Sequence, residues 1–359
     1  MDSGGKKRIL VVGGSGFLGQ HLLHELDTAC GNMPPYDVAF AHHRPAPPPE
    51  LLGSLSLEFL CIWSDLRSGE CFECSSDELC QPHVIINCAA LSIPRACEVD
   101  PAAAMDINVP TSLIDWLSSF RDDSILLIHL STDQGAAIRT ISEVLVENPE
   151  RDGVGASISN MNCGITVYEG VKSFYKEEDE TAPVNMYGKS KVAAEKFISE
   201  NCSNFVILRC SIIYGPQTIS PVTKSLPIQW INSVLSCGKE VEFFHDEFRC
   251  PVYVKDVVSV ISTLTKNVIE IDGNQMKLVL NVGGPDRLSR AQMAEAVADY
   301  RGYDCSLIKP VSASSINRGV ASPADISMDV SRLVRLLGIN PISFKDGVRF
   351  TLENCSWPL

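Results

Sequence analysis

The chain has 359 residues, enough to bury a full core as one large domain or two lobes. Its formal net charge of −14 argues against nucleic acid or an anionic membrane as a partner. No apolar run approaches the ~18 residues that span a bilayer, and polar Met1 to Arg8 leads straight into the first apolar run without a secretory segment, so the expected location is cytoplasmic.

The first informative stretch is Ile9 to Gly19. Ile9-Leu10-Val11-Val12 reads as a buried strand, and Leu18, Leu22, Leu23 and Leu26 then recur on one helical face. Between them, Gly13, Gly16 and Gly19 keep the spacing G-x-x-G-x-x-G. A glycine triplet alone is weak, but between a first strand and a first helix it is a dinucleotide fingerprint. Gly13 permits the sharp turn, Gly16 the close approach of backbone to a pyrophosphate, and Gly19 the packing of helix on strand. The helix N-terminus adds partial positive charge. The turn from Gly13 to Gly19, with Ser15, Phe17 and Leu18 inside it, is the predicted pyrophosphate cradle.

The second strand, Asp37 to Ala41, ends in His42-His43-Arg44. An acidic residue there would select NAD; His43 and Arg44 suit the 2′-phosphate of NADP instead. A third strand, Leu57 to Ile62, leads to Asp65 and Leu66, predicted beside the adenine. The cysteines number 14 and scatter along the chain, often in apolar strands, which suits reduced thiols. Cys71, Cys74, Cys80 and His83 read as C-x-x-C-x5-C-x-x-H. The gap between the pairs is shorter than in common zinc ribbons or fingers, so no metal site is expected.

The fourth strand runs Val84 to Ala90 and ends in small residues, Cys88, Ala89 and Ala90, as a strand passing under a dinucleotide requires. The next helix carries Asn108, also placed at the cofactor. The fifth strand, Ile125 to Leu130, ends in Ser131-Thr132-Asp133. Strands alternating with helical patterns predict an α/β fold with a doubly wound parallel sheet. Farther on, Tyr187 and Lys191 lie four apart on one helix face. A phenol with a pKa of ~10 needs a neighbouring ammonium to exchange protons at neutral pH. Tyr187 is therefore the candidate acid, Lys191 its tuner and a ribose ligand, and Thr132 the group that bonds the substrate oxygen.

These residues, with Leu208 to Gly215, Arg249 to Val257, Arg318 to Ser327 and Ser331 to Gly338, resemble the extended short-chain dehydrogenase/reductases. Within that family the chain is most similar to dTDP-4-dehydrorhamnose reductase and to the regulatory β subunit of methionine adenosyltransferase. The resemblance implies a Thr132–Tyr187–Lys191 catalytic set, NADP(H), and a 4-keto-deoxysugar nucleotide as substrate. Tyr168 faces that substrate, and Arg249 and Arg318 are candidates for its pyrophosphate, because guanidinium forks match phosphate. The regulatory relative implies a different role, binding the methionine adenosyltransferase catalytic subunit through the C-terminal tail. A homodimer is compatible with either. Residues 1–218 and 250–284 form the expected NADP-binding Rossmann domain, and 219–249 and 285–359 a substrate-binding lobe.

One stretch departs from the family pattern. Joining Gln134 to Val167 would restore Ser-Thr-Asp-Gln-Val-Tyr-Glu-Gly, so Gly135 to Thr166 reads as an insertion. Only Ile138 to Val146 looks helical, and a structureless loop this long is rare inside a compact domain. A splice or gene-model insertion is the preferred reading, and a surface lid the alternative.

Overall fold

The computed structural model describes residues 6–28, 36–43, 47–55, 60–70, 81–120, 124–132, 137–138, 161–162, 168–222, 225–270, 275–316 and 319–353. In chain order the first half contains β1 (Lys7–Val12), α1 (Phe17–Thr28), β2 (Tyr36–His42), α2 (Pro49–Ser54), β3 (Leu60–Trp63) and β4 (Val84–Asn87). Three helices follow, α3 (Pro94–Val99), α4 (Pro101–Asn108) and α5 (Thr111–Ser119), then β5 (Leu126–Thr132). The short strands β6 (Ala137–Ile138) and β7 (Met161–Asn162) precede α6 (Met186–Asn201), β8 (Phe205–Cys210) and β9 (Ile213–Tyr214). Next come α7 (Pro227–Ser236), β10 (Val241–Phe244), β11 (Phe248–Arg249), β12 (Val252–Tyr253), α8 (Val254–Glu270) and β13 (Lys277–Val282). The chain closes with β14 (Leu288–Ser289), α9 (Arg290–Arg301), β15 (Ile308–Val311), α10 (Ser331–Leu337) and α11 (Phe344–Glu353).

The central sheet has seven strands in the order β13-β8-β5-β4-β1-β2-β3, and every pairing in it is parallel. This is the doubly wound Rossmann arrangement that the alternation predicts. Its strands are continuous apolar runs because helices cover both faces. Along β1, Ile9 and Val11 point into one core with α1 and α8, while Leu10 and Val12 point into the other with α5 and α6. The order reverses between β1 and β4, so the crevice beyond their C-terminal ends is the expected ligand position.

A second core holds the smaller lobe. Ile228, Ile231 and Leu235 of α7, Phe243 and Phe244 of β10, Met293 and Val297 of α9, and Phe344 and Val348 of α11 pack together there. Ser289 and Gln292 form the reciprocal N-terminal cap of α9, and Gly302 ends that helix at φ +71°. Tyr214 and Tyr253, expected with the Rossmann part, belong to this lobe's core. Conversely Leu333 of α10, with Val330, Leu337 and Ile339 beside it, packs into the Rossmann core rather than the lobe. These apolar residues recur at helical spacing and cover the outermost strand of the sheet, β13.

Of the inserted stretch, Ala137 pairs antiparallel with Asn162 and Ile138 with Met161, so its two ends lie side by side. Ile138, expected to begin a helix, is in a strand, and residues 139–146 fall outside the described residues.

Gly19 tests the first turn. A methyl at this position would overlap the Gly13 carbonyl and lie 2.7 Å from the Gly14 Cα, both backbone atoms of the turn itself. Gly19→Ala is expected to destabilise the chain by about 1–3 kcal/mol, the range for overpacking, read as a lowered Tm in thermal denaturation.

Candidate active site

The glycine turn forms as its residue types dictate. The Gly13 and Gly14 N–H groups both donate to the Ala41 carbonyl, and Gly16 N–H donates to the Gly13 carbonyl. Gly13 sits at φ +79°, and a Cβ there would lie 2.8 Å from the Ala89 nitrogen. A side chain would therefore close the space between the turn and the loop after β4. The Leu18 side chain is in the core, so what it offers the crevice is its backbone N–H, one of the helix's first donors without an intrahelical acceptor. Ser15 is half-buried, and its carbonyl accepts from Gln20 Nε2 at 3.0 Å. Phe17 meets His21 edge-on. Gln20 also exchanges hydrogen bonds with the Ser220 backbone, and His21 Nε2 contacts the Pro216 carbonyl at 3.1 Å, so the loop after β9 braces α1.

A cavity of about 240 Å³ opens beside the turn, lined by Gly13, His43, Asp65, Leu66, Ala89 and Ala90 among others. These predicted cofactor residues are therefore brought together. His43 is exposed at the end of β2, and Arg44 lies outside the described residues. Arg67, which the sequence reading missed, also lines the cavity. It grips Asp65 through Nε at 3.1 Å and Nη2 at 2.7 Å, and this hydrogen bonding holds the Asp65 carboxyl down at about 2. The Asp-x-Arg spacing was the available signal. Cys88 is half-buried at the start of the loop, its N–H on the Val12 carbonyl, and burial pushes its thiol up to about 12.

Asn108 does not reach the cofactor space as expected. It is buried, it takes the Leu91 N–H at 2.8 Å, and its Nδ2 donates to the Leu91 carbonyl and to Ser190 Oγ. It braces the crevice wall against α6, because a buried amide must spend its donors and acceptors on protein.

The predicted catalytic residues Thr132, Tyr187 and Lys191 lie on the neighbouring elements β5 and α6. Asn185 caps α6 by accepting from Gly188 N–H at 3.2 Å. Tyr187 and Lys191 both face inward, at 3% and 1% exposure. Lys191 Nζ donates to the Leu130 carbonyl of β5 at 2.9 Å, two residues before Thr132. Thr132 is buried and its hydroxyl donates to the Cys210 carbonyl at 3.4 Å. Tyr187 clusters with Cys97 and Ala104, against which Leu91 of the cavity wall and Val320 of the C-terminal segment pack. Burial lowers Lys191 to about 8, against the raising effect of Glu195.

The profile of the family described as "RmlD substrate binding domain" matches residues 165–356, more than half of the chain. The chain belongs to this family. The RmlD assignment is joined by a match of residues 9–149 to the "NAD dependent epimerase/dehydratase family", so the chain is an extended short-chain dehydrogenase/reductase. The two matches leave 150–164 uncovered, inside the inserted stretch. Methionine adenosyltransferase 2 subunit beta of Pongo abelii is 28% identical over 279 residues, covering 77% of this chain and 71% of that one. The probable low-salt glycan biosynthesis reductase Agl14 of Haloferax volcanii is 26% identical over 263 residues, 73% of this chain and 74% of that one. By structure, dTDP-4-dehydrorhamnose reductase of Bacillus anthracis in complex with NADP superimposes with TM-score 0.70 at 20% identity, over 98% of this chain and 100% of that one.

Two substrate residues expected of an RmlD-type site are placed differently. Tyr168 is fully buried, its hydroxyl donating to Asn281 Oδ1 at 2.8 Å and accepting from Arg209 Nη1 at 3.0 Å. It also stacks on Tyr175 at 4.4 Å between centroids. Arg249 is fully buried as well, donating to the Phe248 and Pro323 carbonyls at 2.7 and 3.0 Å and to Ser322 Oγ at 3.2 Å. It faces Glu247 at 3.9 Å. Both side chains pin the 319–328 segment and its neighbours rather than face a substrate. Arg318 lies outside the described residues, as do Cys71, Cys74 and Cys80. His83 Nδ1 accepts from Arg8 N–H at 2.9 Å. Among the described residues, no helix is long and apolar enough to cross a membrane.

The buried ammonium has a measurable consequence. The drop of Lys191 from 10.5 to about 8 corresponds to on the order of 3 kcal/mol against the charged form in the fold. That penalty is fully present below pH 8. It is relieved between pH 8 and 10.5, where the folded side chain is neutral and the unfolded one still binds its proton, so stability rises with pH there. Lys191→Met forfeits the bond to Leu130, roughly 1 kcal/mol. It is still expected to raise the Tm of the cofactor-free protein at pH 7 by about 3 °C. Calorimetry at pH 7 and 10.5 checks this, since the advantage is to shrink at the higher pH.

Proposed function

We propose that the chain is a cytosolic NADPH-dependent reductase acting on the 4-keto group of a deoxysugar nucleotide. The observation that carries this reading is Lys191, buried on the face of α6 that holds Tyr187 and tied to the strand that ends in Thr132. The dinucleotide fits the chain's own residues. A cavity lies beside a glycine turn whose Gly13 has no room for a side chain, and the first N–H groups of α1 face its pyrophosphate position. His43 at the end of β2 and Arg67 across the cavity favour an extra phosphate on the adenosine ribose. The Bacillus anthracis reductase, which holds NADP, supports the same choice.

When bound, the reduced nicotinamide supplies the hydride. Thr132 orients the substrate carbonyl by hydrogen bonding, and Tyr187 gives the oxygen its proton as negative charge develops there. Lys191 stabilises the phenolate left on Tyr187 and holds the ribose. The smaller lobe and the 319–328 segment enclose the sugar nucleotide.

The second reading is a non-catalytic, NADP-binding regulatory subunit that docks on the methionine adenosyltransferase catalytic subunit. The identity to subunit beta over 77% of this chain favours it. A fold shared by both roles does not choose between them.

NADPH oxidation against a panel of keto-sugar nucleotides separates the two, run with the full chain and with 135–166 deleted. Turnover is expected, faster in the deleted form, and Tyr187→Phe is to lower kcat by roughly 10²–10⁴-fold. Equal rates with and without the segment would remove the case for a disruptive insertion. A stable complex with the catalytic subunit, without NADPH oxidation on any substrate of the panel, would replace the reductase reading by the regulatory one.

A further inference from the structure

Behind the reacting residues lies a second polar set, which no part of the reductase chemistry uses directly. Glu195 is one turn beyond Lys191 on the same face of α6 and is 8% exposed. Ser131 Oγ, adjacent to Thr132, donates to Glu195 Oε1 at 2.7 Å. Arg209 of β8 holds the same carboxylate through Nε at 3.1 Å to each oxygen and Nη2 at 2.7 Å to Oε2. Its remaining nitrogen, Nη1, donates to Tyr168 Oη and, at 3.2 Å, to the Glu177 carbonyl. One carboxylate therefore joins the helix that carries Tyr187 and Lys191, the strand end that carries Thr132, and the segment that resumes after the inserted stretch.

We propose that Glu195 is the positioning residue of this site: it holds the end of β5 at a fixed height against α6 and places its carboxylate one turn from Lys191 on the same buried face of that helix. Its effect on turnover rests on the reductase reading, whereas its hold on β5 and its place one turn from Lys191 stand on the ligand-free geometry. The end of β5 presents both Thr132 and the Leu130 carbonyl that takes the Lys191 proton donor. Displacement of a reacting group by ~1 Å can cost about 10²-fold in rate.

The surroundings of Lys191 leave this charge to Glu195. Cys88 follows β4, Cys97 lies on α3 and Cys210 on β8, each facing Lys191, and burial holds the thiols of Cys88 and Cys97 protonated at neutral pH, pushed up to about 12 and about 11. His129 of β5 is neutral, because burial and then Lys191 itself lower it well below the usual histidine value. Glu195 is thus the carboxylate among the described groups that act on the ammonium. An ion pair of purely structural value would also give these distances, and the experiment is built to tell the two apart.

The Lys191 side chain of the full chain, without ligand, is titrated by heteronuclear NMR in the wild type and in Glu195→Gln. The amide keeps a hydrogen-bond acceptor for Arg209 and removes the charge. Its Lys191 midpoint is expected to fall by about one pH unit, a tenfold change in proton affinity; an unmoved midpoint overturns the proposal. Ser131→Ala leaves the ion pair with Arg209 intact and serves if Glu195→Gln does not fold. It is expected to lower kcat about tenfold at unchanged KM, and to speed amide exchange at Thr132 by a similar factor. Wild-type kcat together with wild-type exchange would overturn the positioning role. If the wild-type chain oxidises no NADPH, the reductase reading fails on its own, and the Lys191 titration and the Thr132 exchange still decide the role of Glu195.

Discussion

An ammonium in a dry layer between a helix and a sheet is the constraint to which the neighbouring structure answers. Burying a charge without partners is prohibitive, so Lys191 dictates what surrounds it. The Leu130 carbonyl takes one of its protons, and Glu195 one turn along supplies the compensating charge. Glu195 then needs partners of its own, and it finds Ser131 and Arg209. Each satisfied group creates the demand for the next, until the chain of bonds reaches Tyr168 and Asn281. Helix α6 consequently buries Tyr187, Ser190, Lys191 and Glu195, a face that propensity and apolar patterning alone would turn toward water. Such a helix stays in place because its network is complete, and a half-satisfied network would be worse than an apolar face.

The other half of the crevice is governed by backbone. Where the strand order reverses, the first turn must come within contact of the loop after β4, and Gly13 and Ala89 meet there. The wall behind that loop is fixed by Asn108, bridging Leu91 to Ser190 of α6. The same helix thus carries Tyr187 and Lys191 on one buried face and braces the crevice wall through Ser190. On the far side, the 319–328 segment covers the start of α6: Val320 packs against the cluster that includes Tyr187, and Asn185 Nδ2 donates to the Ala321 carbonyl at 2.9 Å. Arg249 holds that segment from beneath through the Pro323 carbonyl and Ser322.

What was legible in the sequence was local. The glycine spacing, the four-residue step from Tyr187 to Lys191 and the apolar runs of the sheet each express a rule that acts within one element, and the structure places them accordingly. What was not legible depends on which elements meet. Ser131 and Glu195 are 64 positions apart, and Tyr168 and Asn281 are 113 apart. No pattern in either neighbourhood announces the contact. Arg249 shows the same ambiguity from the side of chemistry. A guanidinium fork suits a pyrophosphate and a cluster of backbone carbonyls equally well, and only burial separates the two uses. Leu333 illustrates the converse case, in which the family pattern of Ser331 to Gly338 was legible but the core it joins was set by the edge at β13.

The inserted stretch leaves the fold at a clamped point and rejoins it at another. Upstream, Thr132 follows Ser131, which is bonded to Glu195. Downstream, Tyr168 is bonded to Arg209, which holds the same carboxylate. The two boundaries of the stretch are therefore both tied to one buried ion pair. Loop-closure entropy grows only slowly with length, so a pair fixed in this way can hold the strand end and the returning segment together across a long excursion. Ala137 against Asn162 and Ile138 against Met161 continue that juxtaposition outward. The clamp that joins β5, α6 and Tyr168 is, on this geometry, also what lets the fold accommodate the stretch beginning at Gly135, three residues beyond Thr132, without losing its register.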